Sequence, residues 1–154
     1  MRWPIPVIIC FFVLALSATS ASAQVVHGRG LHAEAGFDAG VLDDGHRPIQ
    51  ILDRLCGNPD RQRRCSPIRP ALERAITKAV DRPITWVSHA DPHDGVLWVL
   101  APVRFGADRA NVRWAWRDLR PYGCSGGGRL TYGRDHGAWQ LSLGILYEGC
   151  PASP

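Results

Sequence analysis

Imidazole and carboxylate groups lie close together in one short segment of the sequence. His89, Asp91 and His93 alternate there with other residues, and such side chains bind zinc or copper when a loop folds around the ion. The competing interpretation is a polar loop between strands, in which Pro92 and Gly95 form the turn. The sequence leaves both interpretations open. We favour the loop and expect no metal and no other cofactor.

A second candidate for chemistry is Ser125, which is followed by three glycines. A phosphate-binding loop would need Lys-Ser or Lys-Thr after the glycines and the start of a helix, and the sequence has neither. A serine nucleophile would need a base such as His136 and an orienting acid nearby, which the sequence does not place. The simpler prediction is a flexible turn beside Cys124.

Residues 109–117 alternate between apolar and polar side chains, which is typical of a half-buried strand. The apolar side consists of Ala110, Val112, Trp114 and Trp116. Arg109, Arg113 and Arg117 lie on the other side and, with Arg104 on the neighbouring strand, would form a basic stripe, whose guanidinium groups match carboxylates and phosphates. A solvated sheet face explains the same pattern, so binding and solvation are both open.

Tryptophan is frequent in the predicted strands and supplies the other possible binding surface. Most of these rings are expected in the core, because each buries a large apolar area, but one or two could line a ligand pocket. The predicted ligand-binding residues are therefore Trp98, Trp114, Trp116, Arg109, Arg113 and Arg117.

The strands that position these residues occupy the second half of the chain. Residues 96–105 and 109–117 predict an antiparallel hairpin around a Gly-Ala-Asp turn. A strand over 84–87 precedes this hairpin, and strands over 129–133 and 138–148 follow it. The last strand alternates Trp139, Leu141, Leu143, Ile145 and Tyr147 with mostly polar residues. These segments together predict an antiparallel meander.

Two helices are predicted before the meander. Residues 48–56 have apolar side chains at helical spacing, and residues 66–81 show a complete apolar stripe after Ser66 as N-cap and Pro67 at the first helical position. The predicted fold class is α+β, with N-terminal helices packed on a curved four- to five-stranded antiparallel meander.

The first 23 residues have the layout of a secretory signal peptide. Arg2 precedes an apolar run over 7–16, and Ala21-Ser22-Ala23 matches a cleavage site. The apolar run is too short to span a membrane, and no later run reaches the length required. We therefore expect an exported protein, periplasmic or extracellular, that begins at Gln24 and has no membrane span.

The chain after the signal peptide is predicted to contain a loosely ordered arm over 24–47 and a single domain over 48–154. Four cysteines remain there, and an even number in an exported chain favours disulfides. We favour the pairs Cys56–Cys65 and Cys124–Cys150, because each closes a local loop. A zinc site is the alternative, but no C-x-x-C pair is present.

The meander resembles the C-terminal half of small NTF2-like (cystatin-like-fold) exported domains. The resemblance covers about residues 96–147 and is carried by the segments 108–112 and 132–141. It implies a curved sheet that wraps a helix into a cone, which in some members is a ligand pocket or an isomerase or dehydratase site. The catalytic acids and tyrosines of those enzymes have no match here. Residues 92–94 are similar to the protruding loop of Ivy-type periplasmic lysozyme inhibitors, without the cysteine pair that flanks that loop.

We therefore predict an exported, disulfide-stapled binding domain without catalytic activity. Its partner would be an apolar small molecule or an extracytoplasmic macromolecule. A nucleic acid is not expected, because the chain is exported and its formal net charge is only +4. The alternatives are an NTF2-like enzyme of the isomerase or lyase type, and a periplasmic hydrolase inhibitor that presents residues 89–95 as a rigid loop.

Overall fold

The computed structural model describes residues 26–28, 30–42, 49–91 and 95–151. These residues form two helices, α1 (Leu31–Leu42) and α2 (Pro70–Ala79). The strands in chain order are β1 (Val26–His27), β2 (Ile49–Leu52), β3 (Arg54–Asn58), β4 (Arg63–Pro67), β5 (Ile84–Val87), β6 (Val96–Leu100), β7 (Arg104–Phe105), β8 (Arg109–Asp118), β9 (Ser125–Asp135) and β10 (Ala138–Gly149). The predicted signal peptide lies outside the described residues.

One large mixed sheet organises the molecule. Its strand order is β1-β10-β9-β8-β6-β2-β5, with β7 paired to the start of β8. Neighbours from β1 to β6 are antiparallel, whereas β2 runs parallel to both β5 and β6. The predicted fold of N-terminal helices on a four- to five-stranded antiparallel meander is therefore wrong. Strand accounts for 51% of the structure and helix for 19%.

The main reason for this error is that the segment 48–56, predicted as the first helix, contains β2 and the start of β3. All four residues of β2 are buried. Ile49 and Ile51 pack into the core under the helices, and Leu52 packs into a smaller cluster on the other side of the sheet. A short strand that is covered on both faces has no polar side, so its apolar residues also satisfy helical spacing.

The helices cover one face of the sheet, which we call the inner face. Eight of the twelve residues of α1 are buried, because this helix contacts α2, β1 and β8. Residues 31–42 therefore belong to the core and not to the loosely ordered arm that the sequence suggested. A helix buried on most sides lacks the single apolar stripe by which helices are recognised in a sequence.

The second helix is placed correctly but begins later than predicted. Ser66 and Pro67 pair with β3 at the end of β4, and α2 begins at Pro70 after Arg69 as N-cap. Leu72 and Ile76 are its fully buried residues, as its apolar stripe predicted.

The opposite face, which we call the outer face, is partly covered by the β3–β4 hairpin. Cys56 of this hairpin packs against Leu52, Leu97 and Val99. Both predicted disulfides, Cys56–Cys65 and Cys124–Cys150, are confirmed. Two disulfides indicate an oxidising, extracytoplasmic environment.

Candidate functional site

The predicted ligand-binding residues lie on opposite faces of the sheet. Trp98 pairs with Trp116 across β6 and β8, and Trp114 lies on the same inner face. Trp98 and Trp114 are each only 6% exposed, and both belong to the core beneath the helices. The arginines point to the outer face. The tryptophans therefore act as core residues and do not share a binding surface with the arginines.

The glycines after Ser125 form part of β9 and not the predicted flexible turn. A Cβ atom on Gly126 would lie 2.8 Å from the Trp116 ring, and one on Gly128 would lie 2.7 Å from the Trp114 ring. On the outer face, a Cβ on Gly127 would meet the ring of Tyr147. The run Gly126-Gly127-Gly128 therefore makes space for large side chains of β8 and β10 that lie across β9.

Ser125 is not placed for nucleophilic catalysis with His136. Ser125 begins β9 and His136 follows its last residue, so an eleven-residue strand separates them. A strand of that length spans roughly 35 Å. His136 therefore does not lie within reach of Ser125 and does not act as its base.

Four arginines of β8 and β9 lie on the outer face. We call this group, Arg109, Arg113, Arg117 and Arg129, the arginine surface. Arg113 of β8 lies directly opposite Arg129 of β9. Within the described parts of the chain, none of the four makes an ion pair with a carboxylate. Like charges directly opposite one another destabilise a sheet, so this pair is suited to an anion that neutralises both.

A hydrogen-bond network orients one of these arginines. The Nη2 group of Arg129 donates to Oδ1 of Asn111 at 3.0 Å, and the hydroxyl of Thr131 donates to the same oxygen at 3.1 Å. Asn111 lies between Arg109 and Arg113 in β8. The side-chain amide of Asn111 therefore holds the Arg129 guanidinium over the sheet. Because this guanidinium is already ordered, it loses less conformational entropy when a ligand binds.

Apolar side chains of β10 border the arginine surface. The pairing of β10 with β9 shifts between Leu141 and Leu143, where Ser142 forms a bulge and donates a hydrogen bond to the carbonyl of Thr131. The bulge interrupts the alternation that the sequence predicted for this strand. Leu143 and Ile145 consequently lie on the outer face, opposite Thr131 and Arg129, and both are exposed.

A shallow depression of about 520 Å³ lies beside this bulge. Its lining combines Arg109 and Thr131 with Leu141 and Leu143. The depression is open, Asp108 and Asp135 also line it, and no tryptophan does. It could therefore hold an amphipathic group at the end of the arginine surface.

Tyr147 connects β10 to the tip of the β3–β4 hairpin. Its ring lies over Gly127, and its hydroxyl donates a hydrogen bond to Oδ1 of Asp60. Burial, followed by the carboxylate of Asp60, raises the pKa of Tyr147 to about 12, although Arg113 acts in the opposite direction. The tyrosine therefore stays protonated at neutral pH. It forms the border of the arginine surface next to the β3–β4 hairpin.

Two buried acids on α1 were missed in the sequence. Asp38 has no exposed surface, and neither of its carboxyl oxygens has a hydrogen-bond partner among the described residues. Burial, and then the charge of Glu34 one turn earlier, raise the pKa of Asp38 well above its ordinary value. Glu34 accepts a hydrogen bond from Arg69 at 2.6 Å, but burial still raises the pKa of this carboxyl. The only signal in the sequence was their spacing of four residues.

Of the candidate metal ligands His89, Asp91 and His93, only the first two belong to the described residues. His93 lies in the segment 92–94, outside those residues, and the backbone N–H of Asp91 donates to Gln50 at 3.4 Å. Cys124, Cys150 and Glu148 lie within reach of one ion, but the two sulfurs are joined in a disulfide. A disulfide sulfur is not a thiolate, so this group lacks the ligands that zinc requires.

Among the described residues, the two helices are both too short to cross a membrane. The chain matches no protein-family model, no curated protein and no solved structure. The NTF2-like resemblance therefore stays a prediction.

Proposed function

We propose that the protein is an exported binding domain, without catalytic activity, that binds an acidic segment of an extracytoplasmic protein at the arginine surface. The observation that carries this proposal is the pairing of Arg113 with Arg129 in the absence of an acidic partner within the described residues. A carboxylate between two guanidinium groups accepts charge-assisted hydrogen bonds from both. Binding would therefore relieve a repulsion that the free protein contains.

The apolar border of the surface favours a polypeptide partner over a purely anionic one. Leu143 and Ile145 are exposed beside Arg129, and Leu141 and Leu143 line the depression. A sulfated or carboxylated glycan would leave these side chains in water. A segment that alternates acidic and apolar residues would satisfy the arginines and cover the leucines and isoleucine together.

Export is part of the proposal and rests on two observations. The first 23 residues have the layout of a signal peptide, and the structure contains two disulfides. The finer location, periplasmic or extracellular, is measured by fractionating the producing cells.

The test is a fluorescence anisotropy titration of the exported protein with a labelled ten-residue peptide of alternating glutamate and valine. The double variant Arg113→Gln, Arg129→Gln should weaken binding about tenfold or more, since hydrogen bonds to charged groups contribute about 1.5–3 kcal/mol. The matched control, which we call the Arg74 control, is Arg74→Gln, Lys78→Gln, because it also removes two charges and both residues are exposed on α2, far from the outer face. Binding of this control should equal that of the wild type.

Three outcomes would overturn the proposal. Equal binding of a peptide with glutamine in place of glutamate would show that carboxylates are not recognised. Equal losses in the Arg74 control and the double variant would show unspecific attraction to net charge. Tight binding of heparin without binding of the peptide would identify a polyanionic glycan as the ligand.

A second candidate is an enzyme of the isomerase or lyase type, which the buried acids favour. A carboxylic acid that stays neutral at pH 7 can donate a proton or hydrogen bond to a substrate. Asp38 is fully buried, so a substrate would have to reach it by displacing α1. Native mass spectrometry distinguishes the candidates: a small molecule that copurifies with the wild type and is absent from Asp38→Asn would support the enzyme.

A further inference from the structure

Among the described residues, β10 has the longest unpaired strand edge of the sheet. β1 pairs only with Ala138 and Trp139, so residues 140–149 have a neighbour on one side only among the described residues. Their outward backbone N–H and C=O groups are available over roughly 30 Å. Such an edge can pair with another strand.

The composition of this edge differs from that of a protected one. Natural edge strands avoid pairing through lysine, proline, inward-pointing charges or bulges. Residues 140–147 contain neither charged side chains nor proline, and the bulge at Ser142 lies outside the regular stretch 143–147. The exposed side chains there are Leu141 (41% exposed), Leu143 (56%), Ile145 (54%), Leu146 (72%) and Tyr147 (48%). Both faces of the edge are therefore apolar.

The edge strand is also held rigidly. Its pairing with β9 continues to Gly149, which lies opposite Ser125, and the Cys124–Cys150 disulfide follows immediately. Tyr147 is fixed by its contact with Gly127 and its hydrogen bond to Asp60. A strand that is already ordered loses little conformational entropy when a partner strand pairs with it.

We propose that a second copy of this chain pairs with β10 through its own β10, antiparallel, about a two-fold axis through Ile145. Such an axis, perpendicular to the sheet, keeps the outer faces of both copies on the same side. Ile145 then lies opposite Ile145 of the second copy. Leu143 lies opposite Tyr147 of the second copy, and Gly144 lies opposite Leu146 of the second copy. Each pair has both members on one face, as an antiparallel ladder requires.

Self-pairing fits this edge better than pairing with an unrelated strand. In this register, the charged residue nearest the axis, Glu148, lies opposite the bulge at Ser142 of the second copy, so no like charges meet. Pairing also brings the apolar side chains of the two copies side by side on each face, so that cross-strand contacts cover part of their exposed surface.

The dimer does not depend on the proposed ligand, but it would extend its binding site. Because both outer faces lie on one side, the arginine surfaces of the two copies would face the same way, separated by the two β10 strands. A partner with two acidic segments could then bind both copies, which increases the overall affinity through the effective concentration.

The test measures the molar mass of the exported, disulfide-bonded protein by sedimentation equilibrium up to about 100 μM. A reversible dimer is expected for the wild type. Ile145→Lys should be monomeric, because two ammonium groups would meet at the axis. Leu31→Lys is the matched control, since it changes an exposed apolar residue of α1 to the same side chain, and it should dimerise like the wild type.

Cysteine variants test the register and do not rely on loss of association. Ile145→Cys should form a disulfide-linked dimer under mild oxidation, because directly opposite residues place their Cβ atoms within bonding reach. Leu143→Cys should not, because Tyr147 of the second copy lies opposite it. A monomeric wild type at the highest concentration would overturn the proposal. So would equal cross-linking of both variants, or dimerisation of Ile145→Lys. None of these results would affect the peptide titration.

Discussion

Replacing Asp38 by asparagine should change how the stability of the protein depends on pH. Asp38 has no exposed surface, lacks hydrogen-bond partners among the described residues and lies one turn after Glu34 on α1. Its burial raises the pKa well above the ordinary aspartate value of 3.8. The folded protein therefore keeps the proton on Asp38 at pH values where the unfolded chain has released it.

The sign and size of the effect follow from proton linkage. Between the pKa of the unfolded chain and that of the folded protein, the folded state binds one more proton than the unfolded state. The free energy of unfolding then falls with rising pH by about 1.4 kcal/mol per pH unit. The stability is fully present below the unfolded pKa and is lost as the pH rises through the folded one. Asparagine has the same shape but no such proton.

We therefore expect Asp38→Asn to match the wild type near pH 4 and to exceed its stability increasingly above that pH. The gain should be about 1.4 kcal/mol per pH unit until the folded pKa is reached. Glu34 titrates in both proteins, and its raised pKa adds a decrease that is common to both. The difference between the two proteins therefore isolates Asp38.

The measurement is urea unfolding, followed by tryptophan fluorescence, from pH 4 to pH 8 with the disulfides intact. Asp81→Asn is the control, because it makes the same substitution at an exposed residue just after α2. If the difference for Asp38→Asn is constant over this range, the carboxyl of Asp38 is ionised in the folded protein. The account of a neutral buried acid would then be refuted.

Two further stability predictions concern β9 and the disulfides. Gly127→Ala should destabilise the protein by about 1–3 kcal/mol, because its Cβ would lie 2.5 Å from the carbonyl oxygen of Trp114. Gly133→Ala in the same strand is the control and should change the stability little, because its Cβ would meet nothing within 4 Å. Thermal unfolding of both variants checks this, and equal losses would contradict it. Replacing both cysteines of Cys124–Cys150 by serine should cost about 3.5 kcal/mol, and the same change at Cys56–Cys65 about 2.5 kcal/mol, because the first pair closes the longer loop. The reverse order in urea unfolding would show that native contacts, and not loop closure, dominate.

The acidic-partner proposal and the β10 dimer share Leu143 and Ile145 but differ in the arginines. The double variant Arg113→Gln, Arg129→Gln removes one cation each from β8 and β9 and leaves β10 unchanged. It should lose peptide binding and still dimerise like the wild type. Loss of both properties in this variant would show that the arginines and the β10 edge act as one surface.

Much of the second half of the fold could be predicted from the sequence. The period-two alternation over 109–117 assigned the inner and outer faces of β8 correctly, and the turns around it placed β5, β6 and β10. Both disulfide pairs were also predicted, because short loops between cysteines leave few alternatives. These features are local, and side-chain type alone determines them.

Other features depend on contacts between distant parts of the chain, and only the tertiary structure shows them. The apolar residues 49–52 were compatible with a helix until burial on both faces of the sheet made them a strand, and α1 lost its stripe because its neighbours cover most of its sides. The bulge at Ser142 moved Leu143 and Ile145 to the face of the arginines. Strand alternation in the sequence identified Arg109, Arg113 and Arg117 as one stripe. Only the register between β8 and β9 placed Arg113 against Arg129, because a cross-strand neighbour is determined by pairing and not by distance along the chain.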